Sequence, residues 1–170
     1  MSKMAADAEA ADAKFIQRAM ELAQAAARSG SGAPIGCVIV LDGEIIGEGH
    51  NQVEALNDPT AHAEIVAIRQ AGAHLQRPRF QGATLYSTLQ PCGMCSMASI
   101  WAGVSRIVYG AESDQVHRMY FENRHLEIAD FVRDAYKDDL RVEGGVLGAS
   151  CAKLYYGPDD HPPQDEQANK

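Results

Sequence analysis

A histidine and two cysteines have the residue types and the spacing of a zinc site. Cys92 and Cys95 are separated by two residues, so both sulfurs can reach one small ion, most easily at a helix start, where the backbone favours thiolates. His62 lies upstream and could supply an imidazole nitrogen. Structural zinc sites usually have four protein ligands, whereas catalytic sites have three and a water. The three residues therefore predict a catalytic site, with Glu64 close enough to act on the water.

The joint pattern is more specific than either of its halves. A Cys-x-x-Cys pair alone also occurs in redox-active dithiols and in structural zinc sites, and Glu64 alone could be an exposed charge at a helix start. Here His-x-Glu is followed, after 26 residues, by Pro-Cys-x-x-Cys. This combination favours a catalytic zinc over a redox pair or a structural metal.

The predicted elements place both halves of the site at helix starts. Residues 83–110 follow a strand–helix–strand pattern, which predicts a parallel pair with a right-handed crossover. Open α/β sheets bind ligands at the carboxyl ends of their strands, so we expect the site after the third strand. The predicted strands are 35–41, 44–50, 83–89, 106–109 and 140–143, and the predicted helices are 12–29, 61–75, 92–102, 127–137 and 149–156.

These elements predict an α/β fold of three layers, a five-stranded mixed sheet with helices on both faces. The 170 residues suit a single domain, which we place at 1–157, with 1–11 as an extra turn or a frayed segment. Residues 158–170 are rich in proline and acidic side chains and are expected to form a mobile acidic tail. Asp58 or Thr60 is expected to cap the helix that carries His62.

Composition and charge favour a small neutral substrate. The chain has 15 basic and 23 acidic residues, a net charge of −8, whereas proteins that grip folded RNA usually have a basic face. Nucleic acid is therefore an unlikely partner. The apolar run Cys37–Leu41 is too short to span a membrane, and no secretory signal is recognised. Cys37 and Cys151 are expected to be reduced core residues of a cytoplasmic protein.

The motifs resemble those of the zinc-dependent cytidine-deaminase superfamily. Residues 57–64, Asn-Asp-Pro-Thr-Ala-His-Ala-Glu, resemble bacterial guanine deaminases and tRNA adenosine deaminases. Residues 85–95, Leu-Tyr-Ser-Thr-Leu-Gln-Pro-Cys-Gly-Met-Cys, resemble tRNA adenosine deaminases and fungal-type cytosine deaminases. The resemblance implies the three-layer α/β/α cytidine-deaminase-like fold and one Zn²⁺ per chain. It also implies hydrolytic deamination, with Glu64 as the catalytic proton carrier.

Substrate contacts follow partly from the resemblance. In such relatives the asparagine after the second strand binds the base, which implies this role for Asn51. Guanine deaminases have an aromatic residue and two acidic residues after the fourth strand, and the run that matches here ends in Asn123, so Glu122 could replace the second acid or the base could differ. Phe121 could stack on the ring or pack in the core. The candidate contacts are Asn51, Ala63, Pro34, Phe121, Glu122 and Asn123.

The favoured hypothesis is a hydrolytic deaminase of a free nucleobase or a similar amino-heterocycle. Guanine-like purines come first and cytosine-like pyrimidines second. The alternatives are a tRNA-specific adenosine deaminase, which shares the motifs, and a non-catalytic zinc module. Relatives of this shape usually form homodimers, and Met97, Ile100 and Trp101 are the residues expected to supply the contact surface.

Overall fold

The computed structural model describes residues 3–121, 126–135, 137 and 139–163. Two 3₁₀ turns, Ser113–Gln115 and Arg118–Tyr120, follow the fourth strand. The helices are α1 (Lys3–Ser29), α2 (Val53–Leu56), α3 (Ala63–Leu75), α4 (Gly93–Ala102), α5 (Ile128–Asp134) and α6 (Gly148–Ala152). The strands are β1 (Gly36–Leu41), β2 (Glu44–His50), β3 (Thr84–Leu89), β4 (Arg106–Ala111) and β5 (Arg141–Glu143).

The sheet has the order β2-β1-β3-β4-β5, with β3 at its centre. β1 is antiparallel to β2 and β3, whereas β3, β4 and β5 are parallel. One face packs against α3, α4 and α5 through residues such as Ala67, Ile100 and Ile128. The other packs against α1 and α6 through residues such as Ile16 and Cys151. The predicted five-stranded mixed sheet in a three-layer α/β fold is therefore confirmed.

A buried polar cluster attaches α1 to the sheet. Arg106 donates two hydrogen bonds to the Asp12 carboxylate, both of 2.7 Å, and also bonds to Glu143. The Tyr86 hydroxyl donates a third hydrogen bond to Asp12, at 2.9 Å. Asp12 is only 5% exposed, so the charge of Arg106 is neutralised inside the protein. Arg106 is thus a structural residue that ties α1 to β4 and β5.

Some boundaries differ from the predicted ones. α1 begins at Lys3, nine residues earlier than predicted, because its alanine-rich start has high helix propensity although residues 6–11 are exposed. The prediction that Asp58 or Thr60 caps α3 was wrong, since the cap position is His62. The Asp58 carboxylate instead accepts hydrogen bonds from the Thr60 backbone and hydroxyl, at 2.8 and 2.7 Å. α2 lies between the predicted second strand and the predicted second helix, where neither a helix nor a strand was predicted.

Two further predictions concern the C-terminal half. The predicted last helix ends earlier, at Ala152. Of the predicted acidic tail the structure describes residues 158–163, among which Pro162 is buried. None of the helices in the described ranges is long and apolar enough to cross a membrane.

Candidate active site

Two helix starts bring the predicted metal ligands together. His62 is the N-cap residue of α3, and Cys92 is the N-cap residue of α4, just beyond the carboxyl end of the central strand β3. Neither side chain makes a capping hydrogen bond, and the Nδ1 atom of His62 lies 3.6 Å from the sulfurs of both Cys92 and Cys95. The positive ends of both helix dipoles meet here, which favours thiolate ligands.

The donor atoms fit a zinc ion. The three ligand atoms lie within 4.8 Å of one another. Within the described ranges, this is the one group of three or more histidine, cysteine, aspartate or glutamate residues that could hold a metal ion. Zinc bonds of about 2.0 Å to nitrogen and 2.3 Å to sulfur, at a tetrahedral angle, separate the donors by roughly 3.5 Å. The observed 3.6 Å agrees with that value. Among the described residues the group has three protein donors, the number typical of a catalytic zinc site, and Glu64 is not a member of it.

Cys92 is electrostatically prepared to bind metal. Its thiol pKa is lowered to about 4, chiefly because the thiol of Cys95 donates a hydrogen bond to it and also because of the neighbouring His62. Since the thiolate is the form that binds zinc, little free energy is needed to deprotonate this ligand at neutral pH.

Glu64 is a buried carboxylate beside the ligand group. It is the second residue of α3 and is 4% exposed. The Ser87 hydroxyl donates a hydrogen bond of 2.9 Å to its Oε1 atom. Burial raises the pKa of Glu64, and the negative charge of Cys92 raises it further. A carboxyl group whose pKa is raised towards neutrality can both accept and return a proton, as a general acid–base catalyst must.

Two glycines of β2 let α3 lie directly on the sheet. A Cβ atom at Gly49 would lie 2.4 Å from the carbonyl oxygen of Ala63, between His62 and Glu64. A Cβ atom at Gly47 would lie 2.4 Å from the carbonyl oxygen of Ala67. Both distances are too short for a real contact, so the position of the α3 start depends on these glycines. Gly-x-Gly within a strand indicates a close backbone approach, so this pattern is the signal from which the role of both glycines could have been predicted.

The predicted substrate contacts are only partly placed around the metal ligands. Asn51 is buried after β2, and its side-chain oxygen accepts a hydrogen bond of 3.1 Å from the Val53 backbone, so part of its polar capacity serves the start of α2. Pro34 is half-buried in the turn before β1. Ala63 is fully buried between His62 and Glu64. Their roles in substrate binding stay predictions.

The predicted aromatic–acidic run is split between described and undescribed residues. Phe121 is half-buried, packs against the core cluster on the α1 and α6 face of the sheet, and lines a small cavity beside Cys92, so its role in stacking on a substrate stays a prediction. Glu122 and Asn123 lie outside the described residues.

The same cavity contains residues that sequence reasoning missed. Its lining includes Ser113, Leu126 and Glu127. The Gln90 side-chain amide donates to the Glu127 carboxylate and accepts from the Ser113 backbone at 3.2 Å, so β3, the segment after β4 and the start of α5 are joined. Gln90 immediately precedes the Pro-Cys motif, so its place in the site could have been suspected from the sequence. Ser113 and Glu127 are distant in sequence and belong to no recognisable pattern.

Comparisons with known proteins agree with this geometry. The family described as the cytidine and deoxycytidylate deaminase zinc-binding region matches residues 9–111, which include both helix starts of the site. The chain belongs to this deaminase family. The protein is accordingly a zinc-dependent aminohydrolase, an enzyme that releases ammonia by hydrolysis.

Relatives within the family act on different substrates. A tRNA-specific adenosine deaminase from Streptococcus pyogenes is 38% identical over 145 residues, covering 82% of this chain and 84% of the relative. A guanine deaminase from Bacillus subtilis is 42% identical over 112 residues, covering 66% and 72%. The solved structure of a guanine deaminase from Nitrosomonas europaea superposes with a TM-score of 0.73 at 26% identity, covering 84% of this chain and 81% of that one.

Proposed function

We propose that this deaminase acts on a free nucleobase or a similar amino-heterocycle, with guanine-like purines preferred to cytosine-like pyrimidines. The observation that carries the proposal is the lining of the cavity beside Cys92. Among the described residues it contains Phe121, Leu126, Ser113 and the carboxylate of Glu127, and no lysine or arginine. An aromatic ring, an apolar side chain and hydrogen-bonding groups suit a flat neutral heterocycle better than a phosphate backbone.

The roles of the residues follow from the geometry. His62, Cys92 and Cys95 would hold the zinc, which when bound supplies the Lewis acidity that lowers the pKa of a water molecule to about 7. Glu64 takes the proton of that water and passes it to the ring nitrogen next to the reacting carbon, which makes the carbon electrophilic. When the water oxygen has bonded to that carbon, Glu64 takes the second proton from this oxygen and delivers it to the exocyclic nitrogen. The carbon–nitrogen bond then breaks, so that ammonia leaves and a carbonyl group remains. Its burial keeps these transfers away from bulk water.

Among the described residues, three arginines pair with acidic side chains on other segments of the protein. Arg18 pairs with Glu48, and Arg69 pairs with Asp58 at 3.4 Å. Arg106 is held by Asp12, as described above. With a net charge of −8, the chain as a whole has little attraction for a folded RNA. The negative net charge supports a small substrate over a polyanion.

A tRNA-specific adenosine deaminase is the second candidate. The observation that favours it is the length of the similarity, since the Streptococcus pyogenes relative is matched over 82% of this chain and the Bacillus subtilis guanine deaminase over 66%. Both activities would use the same zinc ligands and the same Glu64, so the two candidates differ in which base is deaminated and in whether that base is free or part of an RNA.

An ammonia-release screen distinguishes the two candidates. We expect turnover of guanine above that of isoguanine, adenine, cytosine, their nucleosides and aminotriazines, because the described residues that line the cavity offer an aromatic ring and hydrogen-bonding groups to a base but no cation to a phosphate. An anticodon stem-loop RNA with a wobble adenosine serves as the competing substrate, with inosine measured by nuclease digestion and chromatography. Inosine formation without turnover of any free base would contradict the proposal. Binding of the stem-loop RNA that weakens steeply as the salt concentration rises would also count against a free-base substrate.

We also propose a homodimer that uses the exposed face of α4. Trp101 is 70% exposed and Met94 is 37% exposed, which is unusual for large apolar side chains. Met97 is half-buried on the same helix. The predicted contribution of Ile100 was wrong, because this side chain is 7% exposed and packs in the core with α3 and the sheet.

Light scattering tests the dimer. For wild-type protein we expect a mass of two 18.3 kDa chains, and for Trp101→Glu a shift towards one, because a carboxylate would be desolvated at the contact. Leu56→Glu is the matched control, since Leu56 is 54% exposed on α2 and should not affect the mass. A monomeric wild type at working concentration would refute the proposal.

A further inference from the structure

A serine occupies a core position on the central strand, beneath the candidate active site. Ser87 lies on β3, paired with Cys37 of β1 and Tyr109 of β4. Both neighbours belong to the apolar cluster under α3 and α4. Ser87 is 0% exposed, so its hydroxyl needs a partner inside the protein. That partner is Oε1 of Glu64, at 2.9 Å.

The two ends of this hydrogen bond differ in their freedom to move. The Ser87 hydroxyl belongs to β3, the middle strand of the five-stranded sheet. The backbone of β3 is hydrogen-bonded to a neighbouring strand on each side. The Glu64 side chain has three torsions and starts from the first turn of a helix. A hydrogen bond from the rigidly held Ser87 hydroxyl to one carboxylate oxygen therefore sets the orientation of the mobile Glu64 side chain.

We propose that Ser87 is a positioning residue, which holds the Glu64 carboxylate in the orientation that proton transfer requires. The inference rests on the zinc-dependent aminohydrolase chemistry of the family and not on which base is the substrate. Proton transfer depends steeply on distance, and a misplacement of about 1 Å can lower a rate by roughly 100-fold. Loss of the hydroxyl should therefore reduce kcat while substrate binding and metal binding persist.

The test compares two side chains of equal shape. Ser87→Thr retains the hydroxyl and Ser87→Val replaces it with a methyl group, so any steric effect of the added carbon is common to both. With the best base from the ammonia-release screen, we expect Ser87→Val to lower kcat by about 10- to 100-fold, with KM and zinc content unchanged, and Ser87→Thr to remain within a few-fold of wild type.

A control on the opposite face of the strand separates positioning from packing. Thr88 is also 0% exposed, but its hydroxyl accepts hydrogen bonds from the Gly36 backbone and the Tyr155 hydroxyl, at 3.1 and 2.6 Å. Thr88→Val removes a buried hydroxyl from the same strand and should lower thermal stability without lowering kcat. Equal kcat for Ser87→Val and Ser87→Thr, at full zinc content, would overturn the proposal.

A crystallographic measurement does not depend on knowing the substrate. In zinc-loaded wild type and Ser87→Thr, Glu64 should keep one orientation with Oε1 at the hydroxyl, whereas in Ser87→Val it should rotate away or occupy two orientations. A single wild-type orientation in Ser87→Val would overturn the inference even if no base were turned over. If the valine variant does not fold, Ser87→Ala gives the same comparison.

Discussion

Glu64→Gln is expected to lower kcat by about 10³-fold or more while one equivalent of zinc remains bound. Glutamine has nearly the same shape and can accept the hydrogen bond from Ser87, but it cannot take a proton from water or deliver one to the substrate. Glu64 lies outside the group of metal-binding side chains, so zinc content should not fall. The measurements are steady-state ammonia release and metal analysis of the same protein sample.

A second glutamate provides the control for this substitution. Glu54 lies in the first turn of α2 and is exposed, so Glu54→Gln makes the same chemical change at a helix start away from the ligand group. We expect its kcat to equal that of wild type. If Glu64→Gln kept more than a tenth of the wild-type kcat with full zinc, another group would have to carry the proton.

The parts of the fold that were predictable have strong local signals. β2 begins and ends at the predicted residues, and β1 and β3 begin within one residue of prediction. β1 and β2 flank the turn residues Asp42-Gly43, and β3 is followed by Pro91; the turn and helix-start preferences of these residues act locally. The metal ligands were predictable for a related reason, because the Cys-x-x-Cys spacing and the His-x-Glu spacing each fit within one helical turn.

The parts that were missed depend on contacts between distant segments. Nothing near Ser87 indicates that its hydroxyl faces Glu64, because the contact joins residues 23 positions apart through the packing of α3 on the sheet. The same holds for Gln90 and Glu127, which are 37 positions apart. The expected cap at Asp58 failed because a turn with Thr60 competes for the same carboxylate.

Cys95→Ala is expected to remove both zinc and turnover. Cys95 is 0% exposed, and its sulfur is one of the three donors within 4.8 Å of one another. With two protein ligands left, the affinity for zinc should fall by several orders of magnitude, and kcat should fall below detection because no activated water is available. The measurements are zinc content after dialysis, competition with a chelating dye, and ammonia release.

Cys151→Ala is the matched control for metal loss. This thiol is also buried, but it packs against α1 and β4 on the other face of the sheet, so its removal should affect stability and not zinc content. Chelation of the wild-type enzyme should reproduce the Cys95→Ala phenotype, and added Zn²⁺ should restore turnover to the wild type alone. A redox-active Cys92–Cys95 pair would instead give activity that follows the thiol–disulfide state and survives chelation. That outcome would contradict the zinc site, since a thiolate bound to zinc is protected from oxidation until the metal leaves.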